Sequence, residues 1–351
     1  MQGPTAQCTL GWHDGLVVSA FLFRRMPATA TGLHYPSLRV PLPRTKLAYV
    51  HLKNLLGDAK RDRSARVSGY VAIWLPEEFL VLYLLRGELV NACHNDGKGF
   101  QPIAIGAAVD MVPAEPEYGE ITFCEAADEQ LACMFHSQTS APEPWPPELR
   151  SSDPSALFPY LISCTFDGLL EIVADGAVNY LLFRMGQVSG GFIADSGKGT
   201  MVERVARLFD RERLALHVQV RRWDVPPPLP VQAPTGLVRA YRDLTTSLVL
   251  RLVADGRETA PAIAEHARTM LVGAHPALEG FSFNGRPPKA VVADADSLTV
   301  AVAALTNELL WTAGDQGEGS GPAEILRDLT RERRHLFQSA GLFERMSWKV
   351  A

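Results

Sequence analysis

Two short loops carry the residue types most able to do chemistry. Gly97-Lys98-Gly99 and Gly197-Lys198-Gly199 each follow an apolar run and precede a helical pattern. Backbone amides at the start of a helix lack intrahelical partners, so such a loop could hold an anion with its lysine adding charge. A nucleotide-binding Walker loop demands more: a glycine, four residues, then Gly-Lys and a hydroxyl that reaches the metal. In "FIADSGKGT" Phe192 stands at the first glycine's position and Gly199 where the hydroxyl belongs, with Thr200 one residue late. In the other loop Phe100 follows Gly99, so no hydroxyl is present. Both loops therefore read first as turns from a sheet into a helix. Binding of a phosphorylated partner or a small phosphate through their six residues is the alternative, as a sensor or divergent enzyme.

Other constellations read as structural. Cys93-His94, Cys124 and Cys133 lack the short spacing of a zinc site and suit buried thiols. In "GQVSG" the serine falls one place too late for a nucleophile elbow. Asp294 and Asp296 form an Asp-x-Asp pair, but Asp296 or Ser297 is expected to cap a helix. Arg331, Arg333 and Arg334 in "RDLTRERRHLF" form a basic cluster that could dock an acidic partner. Interspersed acids make it read first as a solvated face with local ion pairs. No catalytic residue, metal or cofactor is assigned.

The totals agree with a folded chain. Its 351 residues are 47% hydrophobic and 21% charged, with a formal charge of −5, which argues against a general nucleic-acid binder. Five scattered cysteines do not suggest a disulfide framework and favour the cytoplasm. "GLVVSAFLF" at 15–23 is too short to span a membrane and lacks a basic lead-in. Residues 1–45 read as a poorly structured extension, with Met26 as an alternative start.

The elements that hold the two loops repeat. "GYVAIWLPEEFLVLYLLRG" (69–87) aligns without a gap on "GLLEIVADGAVNYLLFRMG" (168–186), Gly69 on Gly168 and Gly87 on Gly186, a constant offset of 99. Each reads as strand, turn, strand, and each continues through its Gly-Lys-Gly turn into a helix and a further strand, 119–126 and 214–223. Helical stretches precede both hairpins. The expected fold is α+β: two tandem helix–hairpin–helix–strand units, 46–140 and 141–222, then a proline-rich linker at 223–235 and a helical bundle at 236–351. In the bundle Leu237, Tyr241, Leu244, Leu248 and Leu252 form one apolar stripe ended by Gly256, and Leu298, Val302, Leu305 and Leu309 form another. Pro322 sits in a first-turn position of the last helix, which ends at Gly341.

The repeat resembles the PATAN family of bacterial signalling proteins. The likeness lies in Gly69-Tyr70-Val71, "YLLRGELVNA" (83–92) and Gly119-Glu120-Ile121-Thr122-Phe123, and in Gly168-Leu169-Leu170 and "LFRMGQVSGG" (182–191) of the second copy. That copy has Gly191 where the first has Ala92, and no Gly-x-apolar-x-Phe strand. The resemblance implies non-catalytic work: regulation or scaffolding through contacts with a protein partner in bacterial signal transduction. A homodimer is compatible with it.

Overall fold

The computed structural model describes residues 32–61, 67–114, 116–195, 197–209, 216–223, 227–286, 289–314 and 321–348. The chain is α+β, with two antiparallel sheets among the described residues. The first sheet has strand order β1-β6-β2-β3-β4-β5, with β1 at Arg39–Lys46, β2 at Gly69–Trp74, β3 at Phe79–Leu85, β4 at Glu88–Asn95, β5 at Phe100–Pro102 and β6 at Glu120–Glu125. Helices α1 (Leu52–Arg61) and α2 (Ile105–Asp110) cover its outer face. The second sheet has order β10-β7-β8-β9, with β7 at Gly168–Ala174, β8 at Ala177–Arg184, β9 at Gln187–Phe192 and β10 at Leu216–Arg222. Its outer face packs on α4 (Pro154–Ser163) and α5 (Met201–Phe209).

Strand β1 corrects the expectation for residues 1–45. Residues 39–46 pair antiparallel with β6, Arg39 opposite Glu125 and Lys46 opposite Glu120. Two prolines in "RVPLPRTK" hide that strand from a reading by periodicity, yet an edge position tolerates them because one side of the strand makes no ladder. Residues 1–31, and with them the Met26 start and the 15–23 apolar run, lie outside the described residues.

Between the inner faces of the sheets lies a helix that periodicity does not reveal, α3 (Asp128–Thr139). Leu131, Ala132, Cys133, Met134 and Phe135 are all buried, in one core with Tyr70, Ala72, Trp74, Phe79, Val81 and Tyr83 of the first sheet and Leu169, Val178, Tyr180 and Leu182 of the second. A helix that buries consecutive residues shows no amphipathic stripe, since apolar side chains are wanted on more than one side. Strands β2 and β3 are likewise buried on both faces: Val71 and Ile73 turn outward to the α1/α2 layer and Tyr70 and Ala72 inward.

The two hairpins share one register. Gly69 faces Leu84 in the first and Gly168 faces Phe183 in the second. An irregularity then falls between Tyr83 and Leu84 on β3·β4, and between Leu182 and Phe183 on β8·β9, at equivalent positions. Gly69 faces Glu125 on β6, and Gly168 faces Arg222 on β10. Both glycines are required by close approach. A Cβ on Gly69 would lie 2.2 Å from the Cys124 carbonyl oxygen, and one on Gly168 would lie 2.1 Å from that of Arg221.

The proline-rich stretch is a strap and not a free spacer. The Gln232 amide donates to the Val90 carbonyl at 2.8 Å, and its side chain donates to Asn91 Oδ1 and the Ile103 carbonyl, each at 2.7 Å. Its Oε1 accepts from the Ile105 amide at the start of α2, and Asn91 Nδ2 returns a bond to the Pro230 carbonyl. Beyond it, α6 (Thr235–Ala254), α7 (Ala260–Leu271), α8 (Ala295–Gly314), α9 (Pro322–Thr330) and α10 (Arg334–Ser339) share one core, which takes in both apolar stripes. Gly256 and Gly341 follow their helices with φ of +90° and +75°. Asp294, not Asp296 or Ser297, caps α8: its carboxylate accepts from the Ser297 amide at 2.8 Å and the Ser297 hydroxyl at 2.7 Å. Asp296 instead pairs with Arg345.

Candidate functional site

At Gly97-Lys98-Gly99 the loop satisfies itself. Asn95 Oδ1 accepts from the Gly97 amide at 2.8 Å and the Gly99 amide at 3.4 Å. Asp96 accepts from the Lys98 amide at 3.1 Å and sits 3.3 Å from its Nζ. The Lys98 amide, with the ammonium beside it, holds the Asp96 carboxyl below its usual range. An arriving anion meets donors already engaged and a carboxylate among them.

The second loop is clasped differently. Gly199 has φ +126°, as Gly99 does. The Thr200 amide donates to Glu203 Oε2 at 2.8 Å and the Glu203 amide to Thr200 Oγ1 at 3.3 Å, a reciprocal cap at the start of α5. Arg207 donates to the Lys198 carbonyl at 3.0 Å, and Arg204 to Asp195 Oδ1 at 3.0 Å. A Cβ at Gly197 would fall 2.8 Å from Asp195 Oδ2. Both loops are clasped turns: the first engages its Gly97, Lys98 and Gly99 amides with Asn95 and Asp96, and the second ties the Thr200 amide to Glu203.

The basic cluster is spread over separate tasks. Arg333 bridges to Asp243 of α6 at 2.6 Å, and Arg334 lies over the Phe343 ring at 5.8 Å. Arg331 is exposed in the 3-10 turn before α10. Cys93, Cys124 and Cys133 are free and buried in the inter-sheet core, where burial pushes the Cys133 thiol up to about 12. No group of three potential ligands that could hold a metal occurs among the described residues. Ser189 of "GQVSG" lies in β9 and donates to the Leu182 carbonyl.

One cleft, of about 600 Å³, opens between the sheets and is lined by Lys98, Tyr35, Gln138, Glu171, Gln219 and Arg221 among others. Its polar groups serve mainly each other. Arg221 donates to the carbonyls of Ser140 at 3.0 Å and Ser137 at 2.5 Å, closing the end of α3. Glu171 lies 4.0 Å from Arg221, and burial raises its carboxyl despite that cation. Gln138 links Tyr83 to Tyr35.

Among the described residues, a surface without such internal use lies on the second sheet's outer layer. A groove of about 370 Å³ runs between α4 and α5 and is walled by Pro154, Phe158, Val188, Met201, Val202, Val205, Ala206 and Phe209. Val202 is 78% exposed and Val188 is 43% exposed. The corresponding groove of the first sheet, between the start of α1 and the end of α2, is about 290 Å³ and is lined with His51, Lys53 and Asp110 as well as apolar groups. The sequence held a signal for the apolar groove. "MVERVARLF" carries more apolar residues than one core face needs: Val205 and Leu208 are buried, while Val202 is left outside.

No helix among the described residues is long and apolar enough to cross a membrane. Comparison with family models, with curated proteins and with solved structures finds no match.

Proposed function

We propose that this chain is a non-catalytic regulatory or scaffolding protein of the bacterial cytoplasm, and that it works by docking a protein partner. Two tandem PATAN-like helix–hairpin–helix–strand units, followed by a helical bundle, form its frame. The tandem reading is supported by the common register, the matching irregularity and the paired close-approach glycines of the two hairpins. The observation that carries the docking reading is the groove of the second unit, whose named walls contain no charged side chain. Apolar surface of this kind, left in water, marks a binding face more than a core.

The experiment is affinity purification from the native host with three chains. The unaltered chain and Tyr49→Glu, an exposed site on the first unit, should return the same partner. Val202→Glu should lose it with no change in thermal unfolding. Equal recovery from all three chains would overturn the reading.

A further inference from the structure

Two sheets present four edges, and three of them are blocked. β1 carries Pro41, Pro43, Arg44 and Lys46. β5 has only three residues and ends in Pro102. β10 is met by Glu143, whose amide donates to the Val220 carbonyl at 2.8 Å. Proline, charge, short length and covering chain are the devices that stop an edge from pairing. β9 differs: "QVSGGF" is uncharged and free of proline, its first three residues are exposed, and it borders only β8 among the described strands.

The first unit shows what such an edge takes. On β4, Ala92 faces Leu82 and turns its main-chain groups away from it. Its carbonyl accepts from the Ile103 amide at 3.0 Å, and its amide donates to Asn91 Oδ1 at 2.8 Å. The Val90 carbonyl accepts from the Gln232 amide at 2.8 Å. Both incoming amides belong to uncharged chain outside any helix, "FQPI" at 100–103, which continues β5, and "LPVQ" at 229–232.

On β9 the equivalent residues are Gly191, which faces Leu181, and Ser189. They meet no counterpart of β5 or the strap among the described residues. Gly190 stands where Asn91 does, so the side chain that takes up the Ala92 amide is missing here. A Cβ at Gly190 would meet only Leu182 Cδ1, at 3.9 Å. A bare glycine within a strand suits close approach by another backbone.

The groove supplies the side-chain half of the site. Val188 belongs to β9 and also to the groove wall, with Met201 and Val202 of α5. A strand added outside β9 would run about 4.8 Å from it, with every second residue on the face that carries Val188. The named walls bear no charge and neither does β9, so an entering charge would lose water without gaining a partner.

We propose that the docking partner enters as an extended, uncharged segment, which adds a strand to the outer edge of β9 at Ser189 and Gly191 and sets alternate apolar side chains into the groove. This rests on the groove being the docking face. The test is hydrogen exchange in the free chain and in the complex recovered from the native host. In the complex the Gly191 amide should exchange at least about tenfold more slowly than in the free chain. The partner should gain one protected segment of about six residues with no charged side chain. Unchanged exchange at Gly191, with the partner still lost on Val202→Glu, would overturn strand addition and leave the docking reading standing. A charged protected segment in the partner would also overturn it. So would protection of Gly191 already present in the free chain: at every concentration it would make this chain its own occupant, and only at high concentration a second copy. Equal recovery of partner by the native chain and Val202→Glu, or none by either, would remove both readings.

Discussion

The two α+β halves share a hairpin register and differ in what surrounds it. In the first half, β4 is closed along its outer side by β5 and by the strap at Gln232, and the groove between its helices holds His51, Lys53 and Asp110. In the second half, β9 borders only β8 among the described strands, and its groove is apolar. A single substitution sits at the centre of the difference. Asn91 bonds both the strap and its neighbour, and the equivalent residue is Gly190, which has no side chain to do so. On the proposed reading, matched backbone geometry leaves specificity to the dressing of edges: the half whose edge is satisfied internally is the support, and the half whose edge is unpaired among the described strands is the contact face.

The sharpest way to break the comparison is at the paired glycines. Gly168→Ala and Gly69→Ala each drive a Cβ into backbone of the adjacent strand, at 2.1 and 2.2 Å, and Gly168 also has φ of +150°. Backbone on both sides cannot yield, so each should cost about 3 kcal/mol or more, read as the shift in denaturant midpoint. Markedly unequal costs would count against equivalent roles for the two positions.

A loss of nearly the same size should follow from Arg221→Leu, which strands the buried Glu171 carboxyl and frees the carbonyls of Ser137 and Ser140. Removing one partner of a buried pair costs roughly 3–5 kcal/mol. Glu171→Gln should behave in the opposite way. Burial raises the Glu171 carboxyl, so its folded form holds a proton more tightly than the unfolded chain does. Its stabilisation is complete below the unfolded pKa and is lost as pH rises through the folded one. The Glu171→Gln variant should therefore gain stability relative to the native protein between mildly acidic and alkaline pH; a gap that narrows would contradict this.

Gln232→Ala should cost about 2–3 kcal/mol, because it leaves Asn91, the Ile103 carbonyl and the Ile105 amide without their partner. It should also speed hydrogen exchange in β4 and leave β9 unchanged. A smaller effect is expected at the α8 cap. Asp294→Ala should cost about 1 kcal/mol at neutral pH. The Ser297 hydroxyl and amide lower the Asp294 carboxyl, so its contribution is present above the unfolded pKa and lost as pH falls through the folded one. Arg333→Ala, at a solvent-exposed pair, should change the midpoint by less than about 1 kcal/mol.

Sequence reached much of this frame because paired residues leave visible marks. The glycines at 69 and 168 and the stripe through Tyr241 and Leu248 each follow from a local geometric demand. Three parts were hidden for physical reasons. Helix α3 buries successive residues from Leu131 to Phe135, so its period vanishes. Strand β1 carries prolines that only an edge allows. The strap at 227–234 looks like a spacer by composition, and only the long-range bonds of Gln232 reveal it as fixed. At the candidate site, Lys98 and Lys198 are residue types that signal chemistry, while their loops are tied by Asn95, Asp96 and Glu203. The groove carries no such signal, since an exposed valine such as Val202 has no chemistry of its own.

The most direct test of unequal halves is site-specific photo-crosslinking in the native host. A photoreactive side chain at position 202, in the apolar groove, is compared with one at position 110, in the corresponding groove of the first half. Position 202 should yield one discrete crosslinked protein and position 110 none. The same pattern from both positions, or nothing at 202, would contradict the account.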